Sequence, residues 1–483
     1  MSLSKKPNIL FFLSDQHAHS FVGPNPLNPV ETPNLDQLSR EGVTFTNAYC
    51  QNPLCVPSRS SLLTGKYSKD LGIYENRHIL EANSTTIPSV LGQAGYRTCL
   101  IGKAHFNGDQ FHGYQQRPYG DLYGQAHQPE QIRSGDSADD SGLGDILGNS
   151  GATEIPLPLT QTEICVSEAS KWLQSHADTN PDQPFFLSVN FDKPHFPMRA
   201  PRHLYEKYAG RVQLPVYPED YLDQEAVPFV RNAVAINGRS QRHHGDKEVA
   251  LRALAAYCAC VEWVDDAIGR VLRVLDYLGL AEQTLVIYAS DHGEMAGEKG
   301  AWQKTLFFDA SAKVPLVVTW PGRYRAGLKA DDLVGLIDLF PTLCSAAGLA
   351  IPDSCSGVDL TPVLAEGRPL AREAIFSESS ALKHPEHSGC MIRTKEYKFC
   401  TYLDGHHELY DMAADPGEWH NLAGTASYRA IETALEAWVR AFWRPDQQLD
   451  RYRQCPAMRN EKHFYFYSNQ FVAADGRVVN ARP

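Results

Sequence analysis

The sequence predicts an α/β fold: a large mixed, mostly parallel sheet sandwiched by helices, followed by a smaller C-terminal α+β subdomain. Short, nearly continuous apolar runs are typical of strands buried on both faces. Such runs occupy residues 8–14, 96–102, 184–191, 284–290 and 314–320. Helical patterns lie between them, for example at residues 32–41 and 87–94. This alternation is typical of a sheet with helices packed on both faces.

One long helix and two irregular segments are expected within the larger part of the chain. Apolar residues at helical spacing predict a helix over residues 247–278. Asp265 and Asp266 are adjacent on it and cannot both face one metal site, so we expect a solvated or capping pair. Residues 107–160 and 198–245 lack periodicity, and we predict that these long excursions shape a ligand pocket.

The pattern changes in the last quarter of the chain. Short antiparallel strands predicted at residues 374–376 and 397–399, with an amphipathic helix at 427–443, indicate a small α+β unit. We therefore divide the chain into an α/β domain, residues 1–373, and an α+β subdomain with an extended tail, residues 374–483. The tail is expected to pack across the body or against a neighbouring subunit of a homo-oligomer.

Composition and charge exclude several classes of protein. The 483 residues are 43% hydrophobic and 21% charged, which are globular values. The net charge of −12 argues against a nucleic-acid partner, because such binding needs a basic surface. The apolar run at residues 9–13 is too short to span a membrane and lacks a cleavage site. Eleven cysteines without paired spacing fit reduced thiols, so we expect a cytoplasmic protein that binds no membrane.

Two predicted strands end in a carboxylate beside a second donor. Asp15-Gln16 follows the first strand, and Asp291-His292 follows the strand at residues 284–290. Ligands of such sheets bind outside the carboxyl ends of the strands, so both pairs are expected at one rim. Oxygen and imidazole donors suit a divalent cation, whereas a single Asp at a strand end would more often cap a helix. His17, directly after the first pair, is a further candidate near the site.

The segment that begins at Cys55 is the most informative in the chain. Pro57 suits the first turn of a helix, where its missing N–H costs nothing. Cys55 is therefore expected at a helix N-terminus, whose free N–H groups and dipole favour anions. Arg59 lies one turn further on the same side. An isolated Cys is more often a buried apolar residue, but the Pro, Ser and Arg that follow favour a nucleophile in an anion-binding pocket.

Residues 55–59, Cys-Val-Pro-Ser-Arg, resemble the signature of the type I sulfatases, which belong to the alkaline phosphatase superfamily. The resemblance implies that a formylglycine-generating enzyme oxidises Cys55 to formylglycine, whose hydrate is the nucleophile. The matching landmarks extend from residue 7 to about residue 425, which leaves the tail outside the resemblance.

The two candidate metal-binding pairs, Asp15-Gln16 and Asp291-His292, indicate a branch of that family. Typical sulfatases carry Asp-Asp and Asp-Asn at these two places and bind calcium. Gln16 and His292 depart from this pattern and resemble the choline sulfatase and phosphonate monoester hydrolase branches. An imidazole favours a softer metal, so the single ion is predicted to be Ca²⁺ or Mn²⁺. The implied metal ligands are Asp15, Gln16, Cys55, Asp291 and His292.

Four basic residues resemble elements of the same family. Lys103 and His105 match its Gly-Lys-x-His element, and Lys304 matches its second lysine. His195, which follows a predicted strand, resembles the family's histidine near the leaving group. The resemblance implies that the lysines hold the oxygens of an anionic ester, that His105 touches the nucleophile and that His195 assists the departing oxygen. The predicted catalytic residues are Cys55, Arg59, Lys103, His105, His195 and Lys304.

The resulting prediction is hydrolysis of a small-molecule sulfate ester through a formylglycine hydrate derived from Cys55, assisted by one divalent metal ion. A phosphonate monoester or phosphodiester hydrolase would use the same site, and the departures at Gln16 and His292 favour that alternative somewhat. A third hypothesis is an anion- or metal-binding protein without catalysis, in which Cys55 stays unmodified.

Overall fold

The computed structural model of the chain describes residues 6–23, 29–76, 78–107, 110–120, 147–216, 247–381, 385–454, 470–473 and 478–480. In chain order its strands are β1 (Asn8–Asp15), β2 (Val43–Tyr49), β3 (His78–Ile79), β4 (Arg97–Gly102), β5 (Gln116–Tyr119), β6 (Gly151–Ala152), β7 (Phe185–Pro194), β8 (Arg199–Ala200), β9 (Thr284–Ser290), β10 (Leu316–Thr319), β11 (Leu328–Gly335), β12 (Ala374–Ser379), β13 (Gly389–Thr394), β14 (Tyr397–Tyr402), β15 (His407–Asp411), β16 (Gln470–Ala473) and β17 (Val478–Asn480).

Helices connect these strands. They are α1 (Pro33–Glu41), α2 (Cys55–Thr64), α3 (Ser68–Leu71), α4 (Ile87–Gln93), α5 (Gln161–Thr179), α6 (Arg202–Tyr208), α7 (Lys247–Tyr277), α8 (Asp309–Ala312), α9 (Leu339–Ala346), α10 (Arg429–Trp443) and α11 (Pro445–Gln454). Within the described ranges, none of the helices is long and apolar enough to cross a membrane.

An eight-stranded sheet forms the body, in the order β11-β2-β10-β9-β1-β7-β4-β5. β10 runs antiparallel to both of its neighbours, and the other pairings are parallel. The predicted mixed, mostly parallel sheet is therefore confirmed. β1 lies between β9 and β7, so the carboxyl ends of these three strands open on the same edge.

The two faces of β1 belong to different apolar cores. Ile9, Phe11 and Leu13 pack with residues of α2, α4 and α9 on one face. Leu10 and Phe12 pack with residues of α1, α5 and α7 on the other. Because successive side chains of a strand point to opposite faces, a continuous apolar run is what a sheet covered on both sides requires.

Most predicted elements are present, and the irregular segments hold more structure than expected. The long helix appears as α7, in which Asp265 accepts hydrogen bonds from the backbone amides of Asn34 and Leu35 and so caps α1, as anticipated for this pair. The prediction that residues 107–160 and 198–245 are irregular is wrong for β5, which pairs with β4, and for α6. Residues 121–146 and 217–245 of these excursions lie outside the described residues.

The C-terminal part contains a separate antiparallel sheet, β12-β13-β14-β15, as the sequence predicted. Residues of α10 and α11 share an apolar cluster with this sheet. The strand β16 pairs in parallel with β3, which lies between α3 and α4 of the body. The domain boundary after residue 373 stays a prediction. All cysteines of the described ranges are free thiols.

Candidate active site

Cys55 is the first residue of α2, as the position of Pro57 predicted. All ten residues of this helix are buried, and Cys55 itself is only 1% exposed. The helix N-terminus is satisfied in part by Asn76, whose Oδ1 accepts a hydrogen bond from the Val56 amide at 3.1 Å. The thiol is therefore buried beside a helix N-terminus, where an anion is favoured.

Four potential metal ligands meet at this thiol. Asp15, Cys55, Asp291 and His292 are fully enclosed, and their ligand atoms all lie within 4.8 Å of one another. Nε2 of His292 is 3.2 Å from the sulfur of Cys55, 3.8 Å from Oδ1 of Asp15 and 3.6 Å from Oδ1 of Asp291. The sulfur is 3.9 Å from Oδ1 of Asp15. Side chains from the ends of β1 and β9 thus converge with α2.

This donor set fits a divalent cation. Two carboxylates supply hard oxygen ligands and negative charge, and an imidazole widens the choice to softer metals. Nδ1 of His292 donates to the carbonyl oxygen of Gly293 at 3.0 Å, which leaves Nε2 facing the cluster, where its lone pair would bind a metal. Metal-binding histidines are commonly held in this way.

Arg59 joins the two carboxylates. Its Nε donates to Oδ2 of Asp291 at 2.7 Å, and Nη2 donates to Oδ2 of Asp15 at 3.0 Å. Nη1 donates to the backbone oxygen of Lys103 at 2.8 Å, and the Lys103 ammonium forms a further ion pair with Asp15. Every charge in this group is buried, so the planar guanidinium fixes the spacing of both carboxylates.

The surrounding charges set the protonation of the cluster. Burial raises the pKa of Asp15, but the charges of Lys103 and Arg59 outweigh it and hold that pKa well below its usual value. Burial and the charge of Asp15 raise the pKa of the Cys55 thiol, but the charges of Lys304 and Lys103 lower it by more. The pKa of this thiol is therefore below its usual value. The pocket therefore favours an anionic group at position 55.

His195 and Lys304 form a pair beside the cluster. Nε2 of His195 is 2.7 Å from the Lys304 ammonium and 3.8 Å from Oδ1 of Asp15. Nδ1 of His195 lies 2.6 Å from the carbonyl oxygen of Phe196, which can only accept a hydrogen bond, so Nδ1 carries the proton of the ring. Nε2 therefore accepts a hydrogen bond from the Lys304 ammonium. Burial, Lys304 and Lys103 hold the pKa of His195 well below its usual value.

His105 lies two residues beyond Lys103 and is also buried. Burial lowers its pKa well below the usual value, and the charges of Lys103 and Arg59 lower it further. The charge of Lys304 also lowers this pKa, and the charge of Asp15 opposes the shift, so the imidazole is neutral. Its contact with the nucleophile stays a prediction.

Gln16 is held by two partners of opposite charge. Its side-chain oxygen accepts a hydrogen bond from the Lys304 ammonium at 2.5 Å, and its amide nitrogen donates to the carboxylate of Glu294. Its backbone amide donates to Oδ1 of Asp291 at 3.1 Å. Glu294 is absent from the residues predicted by sequence, because its partner Gln16 is 278 positions away.

His17 and Tyr257 form hydrogen bonds around the carboxyl end of β1. His17 bonds to the hydroxyl of Tyr288 and to the carbonyl oxygen of Phe21 at 3.2 Å, and burial lowers its pKa to about 4. Tyr257 of α7 donates to the backbone oxygen of Gln16 at 2.7 Å. His17 is thus near the site, as expected, but one of its ring nitrogens bonds to the Tyr288 hydroxyl and the other to the backbone of Phe21.

Backbone strain is present at four positions of the candidate site. Gln16, His105, Gln303 and Thr305 all have positive φ, at 68°, 57°, 70° and 79°. Non-glycine residues seldom adopt this conformation, and it persists where the surroundings hold it, commonly at functional sites. These four positions lie next to, or are, predicted site residues.

Comparison with known proteins decides the family. The Sulfatase family model matches residues 7–349, which is most of the chain. The chain belongs to the sulfatase family. A second model, for the C-terminal part of N-sulphoglucosamine sulphohydrolase, matches residues 297–443. The predicted family and the mixed α/β architecture are both confirmed, and the protein is a sulfatase-class enzyme.

Individual relatives agree with this assignment. A choline-sulfatase of Rhizobium meliloti (strain 1021) is 30% identical over 440 residues, covering 86% of this chain and 82% of that protein. An arylsulfatase of Clostridium perfringens (strain 13 / Type A) is 30% identical over 460 residues, covering 88% of this chain and 92% of that one. The phosphonate monoester hydrolase structure from Agrobacterium radiobacter superimposes with a TM-score of 0.77 at 24% identity, over 99% of this sulfatase and all of that chain.

Proposed function

We propose that this sulfatase hydrolyses a small-molecule sulfate ester with a nucleophile generated at position 55 and one divalent metal ion. The observation that carries the proposal is the meeting of the Cys55 sulfur with the ligand atoms of Asp15, Asp291 and His292 within 4.8 Å. Arylsulfatase and choline-sulfatase relatives that align over most of the chain support the substrate class.

The ion would be Ca²⁺ or Mn²⁺, and it would supply Lewis acidity and neutralise charge on the oxygens of the ester. Four side chains besides position 55 would hold it: Asp15, Gln16, Asp291 and His292. Arg59 keeps the two carboxylates at a fixed spacing through a hydrogen bond to each, and its third hydrogen bond goes to the backbone oxygen of Lys103. This support by Arg59 would limit how far the carboxylates must move when a metal binds.

Oxidation of Cys55 by a formylglycine-generating enzyme would supply a hydrated aldehyde, one hydroxyl of which is the nucleophile. The position at the start of α2 favours an oxyanion there. The charges of Lys304 and Lys103 favour an anion at this position, and the two lysines would also bind the non-bridging oxygens of the ester. A net charge of −12 makes this local pocket, rather than the whole surface, the attractor of an anion.

Lys304 and His195 would together protonate the leaving oxygen. His195 is neutral and accepts from the Lys304 ammonium, so the pair holds one transferable proton at Nζ of Lys304 or Nε2 of His195. Neutral His105 would accept a proton from the remaining hydroxyl at position 55 when the sulfate is released and the aldehyde forms again. Free thiols support a reducing, cytoplasmic location for the enzyme.

Mass spectrometry and a substrate panel test the proposal together. Trypsin releases residues 41–59, a peptide that holds Cys50 as well as Cys55. In protein from the native host, alkylation should label Cys50 and find an aldehyde in place of the Cys55 thiol. The aldehyde-bearing, metal-replete enzyme should hydrolyse choline sulfate or 4-nitrophenyl sulfate. An intact Cys55 in active enzyme would contradict the mechanism, and an unmodified protein without turnover would support the non-catalytic alternative.

Gln16 and His292 favour a second candidate, hydrolysis of a phosphonate monoester or phosphodiester at the same site. The same panel should therefore include 4-nitrophenyl phenylphosphonate. Sulfate hydrolysis with the higher kcat/KM supports the first proposal, whereas a higher value on the phosphonate replaces it with the second.

A further inference from the structure

Glu294 is a buried carboxylate that the proposed mechanism does not use. It lies on the loop after β9, and no part of it is exposed. One oxygen accepts from the side-chain amide of Gln16, and the other accepts from the backbone amides of Ala296 at 3.0 Å and Gln303 at 2.5 Å. One side chain therefore joins a candidate metal ligand to the loop that leads into Lys304.

The contacts of Glu294 decide which way the Gln16 amide points. An amide group has an oxygen that accepts and a nitrogen that donates, and the two have nearly the same shape. At Gln16 one neighbour is the Glu294 carboxylate, which only accepts, and the other is the Lys304 ammonium, which only donates. The reversed amide would meet a repulsive partner on both sides. The observed orientation is therefore the only one that satisfies both charges.

This orientation matters because only the amide oxygen can bind a hard cation. The backbone of Gln16 is already held by Asp291 on its amide and by Tyr257 on its carbonyl oxygen. Only the side chain of Gln16 is then free to change its orientation, and its hydrogen bond to Glu294 fixes that orientation. The loop is closed at its base by the Met295 amide, which donates to the Gln303 oxygen at 2.7 Å, so Glu294 sits on a fixed support.

We propose that Glu294 is a positioning residue that presents the Gln16 side-chain oxygen to the metal and so sets the affinity of the site for a divalent cation. The inference rests on the proposed metal site. Glu294 itself is turned toward the amide nitrogen and acts through Gln16.

Metal titration of chelator-stripped protein tests the role without any substrate. Mn²⁺ and Ca²⁺ affinities are measured by calorimetry for the wild type, Glu294→Gln, Gln16→Ala and the double variant. Glu294→Gln keeps the size of the side chain but can donate as well as accept, so the orientation of Gln16 is no longer enforced. We expect affinity to fall about 10- to 100-fold in each single variant, with no further loss in the double variant.

Glu298→Gln is the matched control, because it removes a carboxylate from the same loop and leaves Gln16 untouched; its affinity should equal that of the wild type. The melting temperature of each metal-free variant separates a folding defect from a binding defect. Wild-type affinity in Glu294→Gln or in Gln16→Ala, or additive losses in the double variant, would overturn the role of Glu294. If Glu294→Gln does not fold, wild-type affinity in Gln16→Ala still overturns the proposal. A wild type that binds neither ion overturns the proposed metal site itself.

Discussion

Arg59 shows how one residue can organise a whole site. Three of its guanidinium nitrogens bond to three different partners, two carboxylates and a backbone oxygen. Burial lowers the pKa of Arg59, but Asp291 and Asp15 raise it by more, so the guanidinium stays charged although it is enclosed. A lysine would bring the same charge without the planar fork that fits both carboxylates.

Arg59→Lys is therefore expected to lower kcat/KM by about 10- to 100-fold, because Asp15 and Asp291 lose their common support. Initial rates on 4-nitrophenyl sulfate measure this loss. Arg270→Lys is the matched control, since Arg270 also spans two carboxylates, Glu163 and Asp266, but its side chain is 30% exposed. Equal losses in both variants would mean that the effect is one of general stability.

His195→Ala should affect poor leaving groups most. A departing alkoxide needs a proton far more than a departing nitrophenolate, so the loss should reach about 10²- to 10⁴-fold on an alkyl sulfate. It should be much smaller on 4-nitrophenyl sulfate. The dependence of rate on leaving-group pKa measures the difference, with His387→Ala, a histidine paired with Asp404, as the control. A uniform loss across leaving groups would assign His195 to binding instead.

At this scale the sequence predicts residues that belong to a recognisable motif and misses those that act through a distant partner. Cys55 and Arg59 share one helix turn, so local spacing was enough to connect them. Glu294 gains its role only because Gln16 lies beside it in space, 278 positions away. A carboxylate in a polar loop gives no local sign of such a contact.

At the scale of elements, strand ends and one helix start assemble the site. Asp15 ends β1, Asp291 follows β9 and Cys55 begins α2. The continuous apolar runs predicted β1 and β9, because burial on both faces leaves a strong signal. β5 was missed, since its sequence Gln-Arg-Pro-Tyr has no apolar pattern and its strand conformation depends on edge pairing with β4.

Glu378 on β12 gives the second sheet a pH-dependent stability. Burial raises the pKa of Glu378 to about 8, although the backbone amide and charge of Lys69 favour its ionised form. The folded state thus keeps a proton that the unfolded chain loses above its ordinary pKa. The stabilising contribution is complete at pH values below that ordinary pKa and is lost as the pH rises toward 8.

Glu378→Gln should therefore gain stability relative to the wild type as the pH rises from 5 to 8, by at most about 1.4 kcal/mol per pH unit. Urea unfolding at several pH values in this window measures the difference. Glu436→Gln, a change at a surface carboxylate of α10 that pairs with Arg440, should show no such trend. A difference between Glu378→Gln and the wild type that is constant with pH would show that Glu378 does not titrate in this window.

At the scale of the whole molecule, a buried charge cluster joins the small sheet to the large one. Lys398 of β14 contacts Asp309, the first residue of α8, at 2.5 Å and Glu418 at 2.6 Å. Burial lowers the pKa of Lys398, but the two carboxylates raise it by more, so the ammonium stays charged. Nearby, the Lys299 ammonium lies 3.3 Å from the ring centre of Trp419, which anchors the loop that leads to Lys304.

Lys398→Met should destabilise the protein by about 3–5 kcal/mol, because it removes the cation between the buried Glu418 and Asp309, whose side chain is 13% exposed. Chemical denaturation measures the change. Lys395→Met is the control: Lys395 also reaches from the small sheet to a body residue, Asp331, but these side chains are 77% and 73% exposed. Its loss should change stability little. A small effect at Lys398 would mean that the carboxylates take up protons without cost.

Burial of Cys55 has a consequence for how the protein is made. Only 1% of Cys55 is exposed in the finished fold. Lys304 follows it by about 250 residues, which a ribosome moving at roughly 5–20 residues per second needs about 12 to 50 s to add. Until then β9 and the residues after it have not emerged to cover the thiol. An enzyme that oxidises Cys55 would therefore have to act before the chain has folded over it, and during synthesis the speed of translation sets the length of this interval.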